Sequence, residues 1–175
     1  MTDLSILDWA ELAVAVATVL AAAFAGIQVV GLRRDQNAAE RREYEAVSMM
    51  WTVVEAPLAA DADGLARWVL RFTLANPGRM PIDDVQCVVH VGVPVRRVHF
   101  DGSSEEPTDT LTFIQTIVSG TTTRTWDRKF VVPYEDRNFV SGMRVDVTFR
   151  DIRGEVRTNT WPRPARPTAA GALAR

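Results

Sequence analysis

The pattern of apolar and polar residues divides the chain into an N-terminal helical part and a C-terminal part with strand-like alternation. The 21 residues from Leu12 to Leu32 include no charged side chain. A helix rises about 1.5 Å per residue, so this stretch spans about 31 Å, close to the hydrocarbon thickness of a bilayer. The pattern therefore predicts a transmembrane helix over residues 12–32, preceded by a short flank, residues 1–11.

Residues 33–46 are predicted to continue the same helix as a polar stalk. Arginines alternate with Asp and Glu along this segment, as on a solvated helical face. No heptad of apolar residues runs through it, so a coiled coil is not expected.

From residue 47 the helical period gives way to strand-like alternation. Trp68, Leu70 and Phe72 alternate with Arg and other residues, and turn signals separate successive segments of this kind. The pattern predicts an all-β, Ig-like antiparallel sandwich of about seven or eight strands over residues 47–161. Pro94 is expected to separate residues 95–100 as a short strand of their own. The Pro- and Ala-rich residues 162–175 are predicted to form a disordered tail.

Four residues are expected to shape turns between the strands: Asn76, Gly78, Gly120 and Gly154. Asn76 and Gly78 belong to an Asn-Pro-Gly turn, and Gly154 is expected to supply the positive φ of the last hairpin. Cys87 falls in the core-facing register of its strand. A buried, inert thiol is therefore favoured over a nucleophile.

The charges that flank the apolar stretch give it a predicted direction. Residues 1–11 carry three acidic side chains and no Lys or Arg, whereas Arg33 and Arg34 follow the stretch directly. By the positive-inside rule, the N-terminus faces outward and the C-terminal domain lies in the cytoplasm, with the helix in the plasma membrane. Trp9 is predicted to mark the outer interface. The alternative is an alanine-rich helix buried in a soluble assembly.

Small residues form two rows along the predicted span. The first row repeats every four residues, and the second lies beside it: Ala13, Ala17, Ala21 and Ala25, then Ala22 and Gly26. Small faces let helices approach closely in lipid, which favours a homodimer or pairing with another membrane protein. The alternative is that any alanine-rich segment produces such rows by chance.

Candidate chemistry is sparse. The net charge of −2 argues against a nucleic-acid partner, and a single cysteine excludes an intramolecular disulfide. His90 and His99 have no ligand residues at metal-binding spacing, and no nucleophile elbow or phosphate-binding loop occurs. We therefore expect no enzyme activity, no cofactor and no metal.

Two charged segments have a functional and an ordinary interpretation. The acidic loop with Glu105, Glu106 and Asp109 either binds a cation or is simply solvated. Arg96 and Arg97, beside Arg67 and Arg71, either form a positive sheet face or are ordinary outward-facing charges, which any soluble sheet has.

Two motifs carry a family resemblance. Residues 74–85, Leu-Ala-Asn-Pro-Gly-Arg-Met-Pro-Ile-Asp-Asp-Val, resemble a strand-turn-strand pattern of bacterial Ig-like and fibronectin-III-like modules. Residues 118–122 are similar to a later step in those modules, with Ser119 in place of the usual proline. The anchor, the Leu-Arg-Arg-Asp-Gln start of the stalk and the Phe-Arg-Asp hairpin also resemble small actinobacterial single-pass membrane proteins. The resemblance implies an Ig-like sandwich and no catalytic residue.

Three functions are compatible with these features. The leading hypothesis is a membrane-anchored protein whose cytoplasmic Ig-like domain is a non-catalytic binding or scaffolding module for an unknown protein partner. The second places the same domain on the outer surface as an envelope or adhesion module. The third is a membrane-acting effector whose Ala-rich helices oligomerise in the lipid bilayer.

Overall fold

The computed structural model describes the backbone of residues 6–163 and the side chains of residues 14–163. Most of the predicted tail and the side chains of Trp9 and Ala13 lie outside the described residues. By their internal contacts, residues 1–42 and residues 43–175 form two compact units.

The first unit consists of a long helix, α1. It runs from Ile6 to Glu45, so the apolar stretch and the polar residues after it belong to one helix of 40 residues. Its large apolar side chains are exposed: Leu20 is 64% exposed and Phe24 63%. The segment Val14–Glu45 is long and apolar enough to cross a membrane, and none of its apolar window is buried. Such a helix is consistent with a membrane anchor or with a signal sequence.

The second unit contains seven antiparallel strands and two short 3-10 turns. The strands are β1 (Ser48–Glu55), β2 (Leu65–Asn76), β3 (Ile82–Val98), β4 (Thr108–Val118), β5 (Thr122–Pro133), β6 (Arg144–Arg150) and β7 (Val156–Trp161). The 3-10 turns, Tyr134–Asp136 and Phe139–Gly142, connect β5 to β6. Apolar residues at every second position bury one face of most strands, as alternation predicts.

The strands form one continuous sheet rather than two separate ones. Its order is β1-β2-β5-β3-β6-β7, and β4 pairs with β3 off this path. The first part of β3 pairs with β4 and β6, whereas Arg96, Arg97 and Val98 at its end pair with β5. The sheet is curled into a half-barrel, so the prediction of an Ig sandwich is confirmed only as an antiparallel β domain.

The bend in β3 explains the continuous sheet. Gly92 has a φ of 82°, which favours glycine, and Pro94 follows two residues later without ending the strand. A bend of this kind lets one strand pass from one part of a sheet to another. The prediction that Pro94 separates residues 95–100 as a strand of their own was therefore wrong: the chain changes pairing partners there but stays extended up to Val98.

The core lies inside the curl, where aromatic side chains meet both between paired strands and across strands that are not hydrogen-bonded neighbours. The Phe72 ring on β2 lies 5.0 Å from the Phe113 ring on β4 and 6.3 Å from the Phe130 ring on β5. Cys87 on β3 is 1% exposed, in the core-facing position expected for it. Contacts between distant strands therefore hold the half-barrel closed on its inner face.

The residues just before β1 are bound to the end of the sheet. The Tyr44 ring lies 6.2 Å from the Phe149 ring, and the Arg157 guanidinium stacks 4.8 Å from the Tyr44 centroid. Asn159 Nδ2 donates to the carbonyl oxygens of Tyr44 and Val47, each at 2.8 Å. Together with the bond from the Val47 N–H to the Tyr44 oxygen at 3.2 Å, these contacts hold the segment before β1 against β6 and β7.

Candidate binding surface

The structure brings together three of the four predicted turn residues. Asn76 is 1% exposed, and its Nδ2 donates to the carbonyl oxygens of Met80 at 2.9 Å and Val118 at 3.2 Å. Its Oδ1 accepts a bond from the Gly78 N–H at 3.2 Å. One buried amide therefore ties the turn after β2 to the turn after β4, 42 residues later in the chain.

Gly120 is required by the close approach of these two turns. A Cβ at this position would lie 2.1 Å from the carbonyl oxygen of Arg79, a backbone atom that cannot rotate away. The next residue, Thr121, donates its N–H to the Gly78 oxygen at 2.8 Å. The contact between the turns leaves no room for a side chain, so this cluster has a structural role.

Gly154 lies apart, in the turn between β6 and β7, with a φ of 80°. The turn is organised by Asp151, whose side chain is inaccessible to solvent and accepts N–H bonds from Arg153 at 2.9 Å and Glu155 at 3.0 Å. Arg157 Nε donates to its other oxygen at 2.8 Å. Burial alone raises the pKa of Asp151, but these bonds outweigh burial and hold the pKa below its ordinary value.

His90 belongs to a polar ladder on the outer face of the sheet. Its Nε2 lies 3.0 Å from Asp146 Oδ2, and Thr160 Oγ1 donates to Asp146 Oδ1 at 2.7 Å. The bond from Thr160 holds the pKa of Asp146 below its ordinary value, with His90 and Arg144 acting in the same direction. In a nucleophilic triad the hydroxyl bonds to the imidazole. Here the hydroxyl bonds to the carboxylate instead, so the ladder does not activate a nucleophile.

The remaining candidate groups are Cys87 and the acidic loop after β3. Burial raises the pKa of Cys87 to about 12, so its thiol stays protonated and unreactive at neutral pH. No group of three or more potential metal ligands occurs within residues 14–163. Glu105, from the acidic loop, faces Arg97 and His99 rather than other carboxylates.

A cleft of about 210 Å³ lies near the end of β3. Three valines supply its apolar lining, Val54, Val69 and Val98, from β1, β2 and β3 respectively. Phe100, just after β3, lines the same cleft and is 89% exposed. A neighbouring groove of about 190 Å³ shares Val69 and Val98 with it and extends toward Trp68.

Charged side chains of both signs line this cleft: Arg97, Arg128 and Lys129 are cationic, and Glu55 and Asp127 are anionic. Lys129 Nζ lies 5.4 Å from the centroid of the Phe100 ring, within cation–π distance. Arg97 Nη1 donates to Glu105 Oε1 at 3.0 Å, and His99 Nε2 lies 2.8 Å from the same oxygen. Burial, together with repulsion from Arg97, lowers the pKa of Arg128, while Glu105 and Asp127 act in the opposite direction.

The predicted positive sheet face is only partly formed. Arg71 makes a bidentate pair with Asp127, at 2.8 and 2.9 Å, and Arg67 pairs with Asp61 at 3.0 Å. These two arginines are therefore balanced by carboxylates. Arg97 lines the cleft, whereas Arg96 lines a separate shallow depression beside Pro94.

Sequence reasoning did not single out Phe100 and Lys129, the two residues that define the exposed part of the cleft. Phe100 ends the run of residues after Pro94 and is followed by an Asp-Gly turn. An aromatic residue directly before such a turn, next to Arg and His, was the available signal. Its contact with Lys129 depends on the pairing of β3 with β5, which local sequence does not encode.

The predicted helix residues lie on α1. Arg33 and Arg34 follow the apolar stretch and are exposed, as are the described members of the small-residue rows, Ala17, Ala21, Ala22, Ala25 and Gly26. A Cβ placed on Gly26 would meet no atom within 4 Å. The described members of both rows are therefore exposed on the surface of α1.

Comparisons with known proteins show no family for this chain. No family model matches the chain, and no curated protein sequence matches it. Among solved structures, the Northeast Structural Genomics Consortium target SoR45 is 10% identical, with a TM-score of 0.32; the alignment covers 65% of this chain and 79% of that one. A DUF4466 family protein from Parabacteroides merdae is 17% identical, with a TM-score of 0.30, covering 66% and 42%.

The sporulation control protein Spo0M from Bacillus subtilis is also similar. It is 8% identical, with a TM-score of 0.27, and the match covers 66% of this chain and 47% of that one. This chain thus spans less than half of the DUF4466 protein and of Spo0M. The chain has an N-terminal apolar helix followed by an antiparallel β domain that resembles the SoR45 and DUF4466 structures.

Proposed function

We propose that this protein is a single-pass membrane protein whose β domain is a non-catalytic protein-binding module in the cytoplasm. The observation that carries the proposal is Phe100, an aromatic side chain 89% exposed at an apolar cleft with cationic neighbours. Exposed aromatic and arginine side chains are the groups that contribute most at protein interfaces. The polar ladder and the buried thiol, described above, lack the geometry of catalytic groups.

The form of the cleft favours a protein segment over a small molecule. Its volume of about 210 Å³ lies below the range of about 300–1,000 Å³ for small-molecule pockets. Its valine lining offers a shallow apolar contact, while Arg97 and Lys129 supply charge nearby. The occupant that fits is a segment with an apolar side chain next to Asp or Glu, which Lys129, beside the Phe100 ring, attracts and orients.

We propose the Ig-like arrangement as the finer description of the fold. Strands β1, β2 and β5 form one side and β4, β3, β6 and β7 the other, and the Phe72–Phe113 contact packs the two sides together. A division into three and four strands is that of an Ig-like domain. The stalk start and the Phe-Arg-Asp hairpin, which resemble small actinobacterial single-pass proteins, are compatible with this proposal.

The proposed orientation rests on charge. Arg33 and Arg34 follow the apolar stretch, whereas residues 1–11 have no Lys or Arg. A C-terminal fusion to a phosphatase that is active only outside the cytoplasm is expected to be inactive in intact cells, and a fusion to a cytoplasmic fluorescent reporter is expected to be active. The opposite pair of results would support an outward-facing module, and release of the domain by cleavage would identify a signal sequence.

The binding surface is tested by site-specific photo-crosslinking in native membranes. A photoreactive amino acid at Phe100 is expected to capture one defined partner, whereas the same amino acid at Ile152, on the distant β6–β7 turn, is not. Lys129→Glu is expected to reduce capture at least tenfold because it repels an acidic segment, while Lys129→Arg keeps it. Arg124→Glu, an exposed charge reversal elsewhere on β5, is the matched control. Equal capture at both positions would contradict the proposed surface.

A further inference from the structure

Strand β4 is an edge of the sheet that lacks the usual protection. It pairs with β3 and with no other described strand, and its register with β3 is unbroken from Thr110 to Val118. Its 11 residues, TDTLTFIQTIV, include one charged residue, Asp109, and neither Lys nor Pro. Natural edge strands are usually blunted by charges, prolines or bulges, because a bare edge pairs with other strands.

The other two edges of the sheet differ from β4. Strand β1 is shorter, at eight residues, and its register shifts between Val53 and Glu55, whereas the register of β4 shifts only at its start, between Thr108 and Thr110. Strand β7 has only six residues and carries Arg157. The side chain of Trp161 on β7 donates to the Val47 oxygen at 3.2 Å, which brings these two edges together. The long, regular and nearly uncharged edge of the described β domain is therefore β4.

The direction of the backbone groups on β4 can be read from Thr110. The Thr108 hydroxyl accepts a bond from the Thr110 N–H at 3.2 Å and donates to the Thr110 oxygen at 3.0 Å, so both groups point away from β3. In an antiparallel strand, alternate residues direct both backbone groups to the same side. Thr112, Ile114 and Thr116 therefore direct theirs to the open edge, where an added strand would bond them.

The sequence of β4 is complementary to itself when two copies run antiparallel about Ile114. In that register Ile114 faces Ile114, Thr112 faces Thr116, and Leu111 faces Ile117. Ile114 is 76% exposed, and pairs of β-branched residues and of threonines stabilise antiparallel strands. The lone charge, Asp109, faces Ser119 of the other copy, so no like charges meet across the pair.

From this edge and its self-complementary sequence, we infer that two copies of this chain pair through β4, antiparallel and centred on Ile114. The pairing joins the β7-β6-β3-β4 sides of two domains into one eight-stranded sheet and covers both open edges at once. A two-fold axis through Ile114 makes the interface isologous, so the assembly closes at a dimer instead of growing into a fibre. The inference depends on neither the proposed partner at Phe100 nor the side of the membrane.

Disulfide crosslinking of the full chain in phosphatidylcholine vesicles tests both the pairing and its register. With copper-phenanthroline as oxidant, Ile114→Cys is expected to give a covalent dimer, since facing residues in such a pair lie about 5.5 Å apart at Cα. Thr112→Cys alone is expected not to crosslink, because its two copies lie about 13 Å apart along the strands. A mixture of Thr112→Cys and Thr116→Cys chains with different tags is expected to give the mixed dimer.

Val156→Cys, on β7 and 65% exposed, measures random collision between anchored chains. Ile114→Lys, tested in the Thr112→Cys and Thr116→Cys mixture, is expected to lower the yield at least tenfold because it sets two ammonium groups face to face, whereas Ile114→Val preserves the yield. Tryptophan fluorescence checks that both variants stay folded. Equal yields from Ile114→Cys and Val156→Cys would overturn the inference. So would crosslinking of Thr112→Cys alone that is as strong as crosslinking of the mixture. An unchanged yield with Ile114→Lys would overturn it as well.

Discussion

Apolar side chains are exposed on the helix and buried in the β domain, as two phenylalanines show. Phe24 on α1 is 63% exposed, whereas Phe72 on β2 is 0% exposed and contacts two other aromatic rings. Burial of apolar surface is the main favourable term in folding in water. The β domain gains that term from its own residues. The apolar stretch of the helix gains none of it from the described chain, which is consistent with a membrane anchor or a signal sequence.

The helix and the β domain also differ in their polar groups. The β domain buries Asn76 and Asp151 and gives each of them several hydrogen bonds, because an unpaired buried polar group is costly. The apolar part of α1 satisfies its backbone within the helix and presents few polar side chains, which is what lipid requires. Substitutions in one region are therefore expected to leave the other unchanged, and the predictions below test this independence.

The largest effect is expected from Phe72→Ala. Removal of a buried aromatic ring leaves a cavity and costs about 3–5 kcal/mol in the free energy of unfolding. Urea unfolding of the full chain in detergent micelles, followed by tryptophan fluorescence, measures this loss. Phe100→Ala removes the same ring from an exposed position and is expected to change stability by less than about 0.5 kcal/mol. Similar losses in both variants would show that Phe72 is not a core residue.

Leu20→Arg is the corresponding test of the helix. A charged residue at the centre of a membrane span raises the free energy of insertion by about 3 kcal/mol. The variant is expected to be released from membranes by alkaline carbonate, while the urea midpoint of its β domain stays that of the wild type. Leu58→Arg, which alters a leucine that is 99% exposed in the β domain, is expected to stay in the membrane fraction. Full retention of Leu20→Arg would indicate that α1 does not span the bilayer.

The elements that the sequence predicted well are those that depend on local periodicity. A long uncharged run of apolar residues predicts a helix. Alternation at Trp68, Leu70 and Phe72 predicts a strand. The positive φ of Gly154 also followed from a local turn motif. These features depend on neighbours within a few residues, so the sequence alone contains the information.

The features that the sequence did not predict depend on contacts between distant residues. Pro94 indicated a break, but the pairing of Arg96–Val98 with β5 keeps the strand extended through the bend at Gly92. The link from Asn76 to Val118 and the contact of Lys129 with Phe100 also join residues far apart in the chain. Such contacts follow from the curl of the sheet, which one strand's pattern does not determine.

A smaller effect, dependent on pH, is expected from Asp151→Asn. The pKa of Asp151 lies below its ordinary value in the folded chain, so the unfolded state binds more protons as the pH falls through this range. Its contribution is complete above the unfolded pKa of about 3.9 and is lost as the pH falls through the folded pKa. The substitution removes the charge-assisted bond from Arg157 and is expected to cost about 2 kcal/mol at pH 7.

Urea unfolding between pH 7 and pH 2.5 measures this dependence. The difference between wild type and Asp151→Asn is expected to shrink as the pH falls, because protonation removes the same charge from the wild type. Asp63→Asn, at an exposed position in the β1–β2 loop, is the control and is expected to follow the wild-type curve. A difference that stays constant over this range would contradict the role assigned to the Asp151 charge.

The smallest effect compares three glycines whose added Cβ would meet no atom within 4 Å: Gly154, Gly142 and Gly26. Only Gly154 has a positive φ, so Gly154→Ala is expected to cost about 1 kcal/mol through backbone strain alone. Gly142→Ala is expected to be neutral or slightly stabilising, and Gly26→Ala to leave the urea midpoint unchanged. Gly26→Ala also raises helix propensity, so Gly31→Ala, where an added Cβ likewise meets no atom, is the matched control: an effect on crosslinking or detergent extraction at Gly26 alone indicates contact with another helix. If Gly26→Ala instead lowers the urea midpoint, the helix and the β domain do not fold independently.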